Sequence, residues 1–297
     1  MSSALLLIPD FALIVLGFGL RRLLHLGDHF WTGLEKLVYF VLFPALLFNA
    51  IARTQIDFGA AAPLVAAGLV AMLCGIVLGM TARPLFGPRR AAFASQFQCA
   101  FRFNSYIGLA VLGKLHGAAG IAAMGVLIGA LVPIANLASV WMLARHGNLG
   151  VLREIARNPL ILATFTGLLF NLAGMTMPDP LAHFLGRLSD ASITLGLLAV
   201  GAALRLRGAV GSRVPAAYLL IVKLIAVPIA ALVSARHLGL TGVYFDTVVL
   251  FGALPTASSA YILAMRMGGE GAGVAWLISA GTVAAMVTLP TWLVVLG

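Results

Sequence analysis

A short polar cluster interrupts one of the long apolar stretches of this sequence. Between Gln96 and Leu109 the chain reads QFQCAFRFNSYIGL, in which Arg102 precedes Asn104 and Ser105. An arginine deep in a bilayer is energetically expensive, and its planar guanidinium is suited to binding a carboxylate through two parallel hydrogen bonds. The cluster therefore indicates a binding or gating site for a small anion. The alternatives are a structural ion pair or a side chain that reaches up to the membrane surface.

The composition shows why such a cluster is unusual here. Of the 297 residues, 62% are hydrophobic and only 9% are charged, whereas soluble domains carry about 25% charged residues. Repeated apolar stretches are long enough to span a bilayer, which predicts an all-α polytopic membrane protein. Residues 1–23 lack a basic leader region and a small-residue cleavage site, so we expect a first span there rather than a signal peptide.

Hydropathy predicts ten transmembrane spans. Their approximate bounds are 4–21, 34–52, 62–82, 91–114, 119–144, 158–175, 187–204, 214–235, 244–266 and 272–295. Thirteen of the 19 Lys and Arg residues lie in the connections after odd-numbered spans, and four lie in the connections after even-numbered spans. Because cytoplasmic loops are enriched in basic residues, we expect both termini outside the cell. The net charge of +10 then reflects the orientation of the protein in the membrane, with some attraction to anionic lipid. It does not indicate nucleic-acid binding.

The motifs of several enzyme classes are missing from the sequence. It contains no HExxH, GxSxG or Walker motif, and no paired intramembrane carboxylates at protease spacing. Cys74 and Cys99 both fall within predicted spans and form no CxxC pair. We therefore expect neither enzymatic activity nor a cofactor or metal ion.

The two halves of the chain resemble each other when one is shifted by 152 residues. Lys114 then falls on Arg266, Gly117 on Gly269 and Gly129 on Gly281. Because each half has five spans, an odd number, the second copy is inverted in the membrane. The predicted organisation is a first repeat at 1–144, a cytoplasmic connection at 145–157 and a second repeat at 158–297. Inverted repeats are typical of secondary transporters, whose substrate site lies near the midplane where helices are broken.

Spans 4 and 9 are the predicted broken helices, with interruptions near 102–105 and 252–257. Pro255 removes a backbone donor from span 9. If the two segments cross, two half-helix N-termini point at one place and favour an anion there. The candidate substrate-binding residues are Arg102, Asn104, Ser105, Tyr106, Pro255, Thr256, Ala257, Ser258, Ser259 and Tyr261, with Asn49 facing them from span 2. Asn, Ser and Thr are also good N-cap residues, so a capping role is open for each.

Lys223 is a second cation inside a predicted span. It needs an acidic partner, backbone carbonyls or a neutral state, and Asp246, Asp190 and Asp10 are the candidate acidic partners. One hypothesis is that Lys223 occupies the place of an inorganic cation in related sodium-coupled folds, where it couples transport to a proton. The alternative is a purely structural role at the crossover.

Three segments together give the chain a family resemblance. These are YFVLFPALLFNAI at 39–51, FRFNSYIGLAVLG at 101–113 and GALPTASSAYILAMRMGG at 252–269. In this order and spacing they resemble the auxin efflux carrier family, which includes plant PIN auxin exporters and bacterial malonate- and malate-type carboxylate permeases. Plant members flank the span 4 asparagine with proline, whereas Phe103 and Ser105 flank Asn104 here, so auxin is not the expected substrate.

The resemblance implies a scaffold of spans 1, 2, 6 and 7 and a moving transport part of spans 3–5 and 8–10. It also implies elevator-like motion and a homodimer formed through the scaffold. We therefore expect a secondary transporter of a small mono- or dicarboxylate in the bacterial inner membrane. The alternatives are a sodium-coupled organic-anion symporter similar to bile-acid transporters, and a passive channel or sensor.

Overall fold

The fold is all-helical wherever it is described. A computed structural model describes residues 8–24, 26–53, 58–144, 159–204 and 213–296, and no strand occurs in these ranges. The prediction of an all-α protein is thus confirmed for this part of the chain. The predicted connection 145–157 lies outside the described residues.

The first half, where it is described, contains six α-helices. They are α1 (Ile8–Leu23), α2 (Asp28–Leu37), α3 (Phe43–Arg53), α4 (Phe58–Phe86), α5 (Arg90–Gln96) and α6 (Ser105–Ala144). A π-helical turn at Val38–Leu42 joins α2 to α3, and a 3₁₀ turn at Phe97–Ala100 extends α5. Gly117 has φ 58° and ψ −139° inside α6, a conformation that glycine tolerates better than other residues. This glycine divides α6 into an early part, 105–116, and a late part, 118–144.

Seven α-helices lie within the described residues of the second half. They are α7 (Pro159–Leu172), α8 (Asp179–Ala203), α9 (Arg213–Ile221), α10 (Val227–His237), α11 (Gly242–Ala253), α12 (Ser259–Arg266) and α13 (Gly271–Leu296). A π-helical turn at Val222–Ala226 connects α9 to α10 and contains Lys223. The order of elements resembles that of the first half. In each half a helical segment with a π-helical turn precedes an interrupted segment, and a long apolar helix follows it.

Among the described residues, six helical segments are long and apolar enough to cross a membrane. They are Asp28–Arg53, Ala61–Phe86, Arg90–Leu143, Asp179–Ala203, Arg213–His237 and Gly271–Val295. The third has 54 residues, far more than the roughly 20 needed for one crossing, and it contains the interruption before α6 and the irregular Gly117. Shorter apolar helices occupy Leu162–Leu172 and Gly242–Ala253. The ten-span arrangement stays a prediction.

The helices pack in two groups. In one group α1 packs against α8, and α3 packs against α7 and α8. In the other group α4, α10 and α11 pack on one another, and α11 also contacts α6 and α13. Helix α6 links the groups, because it also contacts α3, α7 and α8.

Glycine makes the closest of these helix contacts feasible. A Cβ atom on Gly17 of α1 would lie 2.1 Å from the Leu198 carbonyl oxygen, and one on Gly201 of α8 would lie 1.8 Å from the Ile14 carbonyl oxygen. Small residues allow helix backbones to approach in this way in membranes, where the hydrophobic effect does not drive helix association. The contact between α1 and α8 therefore depends on glycine at both positions.

Candidate functional site

Two helix interruptions form the centre of the candidate site. Residues 101–104 separate the 3₁₀ turn from α6, and residues 254–258 separate α11 from α12. The interruptions predicted near 102–105 and 252–257 overlap these two segments. The second interruption contains Pro255, which has no backbone donor and restricts the conformation of the residue before it. The first contains no proline, so its backbone depends on contacts with other segments.

Those contacts come from the other interruption. The backbone N–H of Asn104 donates to the Pro255 carbonyl oxygen at 2.8 Å. The Thr256 hydroxyl donates to the Cys99 carbonyl oxygen at 2.8 Å, and the Gln98 side-chain amide donates to the Ala260 carbonyl oxygen at 3.0 Å. Unpaired backbone groups are costly away from water, so each interruption stabilises the other.

Asn104 begins α6 as an N-cap. Its side-chain oxygen accepts hydrogen bonds from the backbone N–H groups of Tyr106 at 3.0 Å and of Ile107 at 3.3 Å. This is the usual way in which asparagine satisfies free donors in the first helical turn. Asn104 is itself buried. The capping role that the sequence left open is therefore present, and it orients the start of α6 beside Pro255.

Arg102 is buried at the same interruption, with 7% of its surface exposed. Its guanidinium donates to the Asn136 side-chain oxygen at 2.9 Å, to the Ser259 hydroxyl at 3.2 Å and to the Ser139 hydroxyl at 3.3 Å. All three of these acceptors are neutral. The guanidinium therefore lies beside Ser259, the first residue of α12, which directly follows the second interruption.

Sequence reasoning missed two of these arginine partners. Asn136 and Ser139 lie on the late part of α6, three residues apart and therefore on one helix face. Their spacing within an apolar stretch was an available signal, because isolated polar groups in a span usually face the protein interior. The signal does not name Arg102 as the partner, since that depends on how α6 folds back past the interruption.

The remaining candidates near the interruptions differ in their surroundings. Ser105, Ala257, Ser258 and Ser259 are half-buried, and Thr256 is buried. Tyr106 stacks on Phe43 at the start of α3, with ring centroids 4.3 Å apart and ring planes inclined by 29°. Tyr106 therefore joins the interruption to the helix group that contains α3. Tyr261, on α12, is half-buried and packs against the hydrophobic core.

Lys223 contacts the second interruption through a carbonyl group. It is 1% exposed, and its ammonium group donates to the Gly252 carbonyl oxygen at 2.8 Å. Gly252 belongs to the last turn of α11, whose final carbonyls lack helical partners and carry partial negative charge. The sequence left an acidic partner, backbone carbonyls or a neutral state open for Lys223. In the structure its ammonium group contacts a backbone carbonyl.

None of the three acidic residues predicted as partners of Lys223 forms an ion pair with it in the described part of the protein. Asp246 accepts from His116 at 2.8 Å between ring nitrogen and carboxylate oxygen. Asp10 pairs with Lys114 at 2.6 Å. Asp190 lines a cavity beside α3 and α6. Each salt bridge joins a different helix to the end of the early part of α6.

Among the contacts described, Asn49 touches neither interruption. Its side-chain amide donates to the Ser189 hydroxyl at 3.5 Å, between α3 and α8. It lines the cavity that contains Asp190. The structure thus brings together the candidates from spans 4 and 9, but it gives Asn49 different neighbours.

The electrostatics of the interruptions favour a small anion. Helices α6 and α12 both begin here, and helix N-termini carry partial positive charge. The Arg102 guanidinium adds a full charge in a buried setting. Within the described ranges, no group of three or more His, Cys, Asp or Glu side chains could hold a metal ion.

Known proteins that resemble this chain are membrane transporters. A family model described as "Membrane transport protein" matches residues 139–293, more than half of the chain. A Rhizobium meliloti protein named "Putative malonate transporter" is 27% identical over 89% of this chain and 86% of its own length. An "Uncharacterized transporter" of Methanothermobacter thermautotrophicus is 26% identical over 100% of this chain and 99% of its own length. The chain therefore belongs to the membrane transport protein family, which is the auxin efflux carrier family.

Proposed function

We propose that this protein is a secondary transporter of a small organic acid anion, with malonate as the first substrate to test. The observation that carries the proposal is the contact between the two interruptions, at which Arg102 is buried beside the starts of α6 and α12. A carboxylate bound there meets a guanidinium and two helix N-termini. The name of the Rhizobium meliloti relative supports a dicarboxylate of malonate size.

Matching helix bounds support an inverted repeat. Adding 152 to the bounds of α1, of α2 through α3 and of α4 gives 160–175, 180–205 and 210–238. The corresponding segments in the second half run from 159 to 172, 179 to 203 and 213 to 237. The 90–100 segment maps onto 242–252, and the late part of α6 maps onto 270–296, close to the bounds of α11 and α13. The two interruptions then occupy equivalent positions in the proposed repeats.

The two helix groups support an elevator mechanism. The group formed by α1, α3, α7 and α8 corresponds to the scaffold, and the group that contains both interruptions corresponds to the moving part. Helix α6 is the main link between the groups. In the proposed cycle, the moving group slides along the scaffold and exposes the bound anion to one side of the membrane at a time.

Malonate uptake into proteoliposomes tests the proposal. Arg102→Lys keeps the charge but loses the planar fork that contacts Asn136 and Ser259, so we expect uptake to fall by about tenfold or more. Arg187→Lys is the matched control, because Arg187 is exposed on α8. Equal malonate uptake by the wild-type protein and the Arg102→Lys variant would exclude Arg102 from the substrate site.

The ion requirement of uptake separates the remaining mechanisms. In the absence of sodium, the proposal expects unchanged malonate uptake. Loss of uptake would instead indicate a sodium-coupled symporter. Failure of the wild-type protein to transport malonate or a related carboxylate would refute the proposed function itself.

A further inference from the structure

A second polar site lies in a cavity between α3, α6 and α8. The cavity has a volume of about 430 Å³ and is lined on its polar side by Asn49, Arg53, Ser189 and Asp190. Gly117, where α6 changes direction, also lines it. Of the residues assigned to the proposed anion site, Asn49 alone is among the lining residues. The cavity is therefore distinct from the helix interruptions.

The cavity presents one positive and one negative side chain. Arg53 ends α3, and Asp190 lies in the middle of α8. Among the residues that the structure describes, the ion pairs within 4 Å include neither of these two. Both side chains are exposed, so each can contact a molecule that enters the cavity.

The rest of the lining is aliphatic. Leu46, Ala50, Ile121 and Ile193 face the same cavity. Burial of a ligand's methyl groups against such side chains is favourable, at roughly 0.8 kcal/mol for each methylene-sized group. The cavity thus combines a cation, an anion and an apolar wall.

We propose that this cavity binds an aliphatic α-amino acid as its zwitterion. The ligand carboxylate contacts Arg53, and its ammonium group contacts Asp190. The aliphatic side chain packs against Leu46 and Ile193. A dicarboxylate is a poorer ligand, because its second negative charge meets Asp190. This site is separate from the anion site proposed for transport.

Direct binding of radiolabelled L-leucine to the purified full-length protein tests the proposal. Two competitors each lack one charged group and keep the side chain: isocaproate lacks the ammonium group, and isoamylamine lacks the carboxylate. We expect saturable leucine binding, with each competitor at least about tenfold weaker than unlabelled leucine, because each loses a charge-assisted hydrogen bond. These competition measurements need no variant and so do not depend on whether a variant folds.

Substitutions then locate the ligand. Arg53→Gln and Asp190→Asn are each expected to weaken leucine binding by about tenfold or more. Arg187→Gln and Asp179→Asn are the matched controls, since both residues are exposed on α8 outside the cavity lining. Their leucine affinity should equal that of the wild-type protein.

Three results would overturn the proposal. One is the absence of saturable leucine binding to the wild-type protein. Another is isocaproate competing as well as leucine, which would make the cavity an anion site. The third is unchanged leucine affinity in folded Arg53→Gln and Asp190→Asn variants, which would place the amino acid elsewhere. None of these results depends on malonate uptake.

Discussion

At the scale of single residues, the polar side chains of the two interruptions have separable roles. Asn104 and Thr256 satisfy backbone groups of the interruptions themselves. The Arg102 guanidinium donates to side-chain oxygens of two other helices. Hydrogen bonding to the backbone therefore accounts for Asn104 and Thr256, whereas Arg102 adds a positive charge.

Asn104→Ala should lower the stability of the protein without removing the charge at the site. The variant loses the acceptor for two N–H groups at the start of α6, an effect of about 1 kcal/mol. Thermal unfolding in detergent measures the change. Asn104→Ser is the matched control, because serine also caps helices well and should retain more stability. Equal unfolding temperatures for the alanine variant and the wild-type protein would contradict the capping role.

Lys223 is expected to stabilise the end of α11 by donating to Gly252. Lys223→Met removes the donor and leaves the buried carbonyl unsatisfied, which costs about 1 to 3 kcal/mol. Lys223→Gln keeps a donor and should be less damaging in thermal unfolding. If the lysine is only structural, the glutamine variant keeps the wild-type pH dependence of malonate uptake. A changed pH profile would instead support the proton-coupling hypothesis.

At the scale of helices, some features were predictable from sequence and others were not. Pro255 indicated the second interruption directly, whereas the first was indicated by its polar residues and by the repeat, because no proline lies at 101–104. The π-helical turn around Lys223 has no comparable local signal. The pairing of Arg102 with Asn136 and Ser139 was not predictable either, since it depends on the path of α6 after Gly117. Residue types close together in the sequence thus predicted where helices end. Contacts between residues of different helices could be identified only from the three-dimensional fold.

Two salt bridges at the end of early α6 give a test of relative helix motion. Lys114 pairs with Asp10 of α1, which is in the proposed scaffold, whereas His116 pairs with Asp246 of α11, within the proposed moving part. A short thiol cross-linker between cysteines at positions 10 and 114 should therefore stop malonate uptake. The background variant would lack Cys74 and Cys99.

Cysteines at positions 116 and 246 provide the matched control, because both lie within the moving part. Cross-linking that pair should leave most of the malonate uptake intact. The elevator mechanism would be contradicted if the cross-link between positions 10 and 114 forms completely and uptake is unchanged.

At the scale of the whole molecule, the distribution of basic residues predicts the orientation in the membrane. Met175, exposed between α7 and α8, should lie outside, and Pro88, between α4 and α5, should lie in the cytoplasm. A membrane-impermeant thiol reagent should label a Met175→Cys variant in intact cells. It should label Pro88→Cys only after the cells are permeabilised. The reverse pattern would invert the predicted topology.

Counterflow of malonate is the most direct test of the central claim, that this protein carries a small organic acid anion by alternating access. Proteoliposomes loaded with unlabelled malonate would be diluted into a trace of labelled malonate. A carrier exchanges the two, so the account predicts transient accumulation of label above its external concentration, with saturation as external malonate rises. Equilibration of label without any overshoot would indicate a passive channel and would contradict the account.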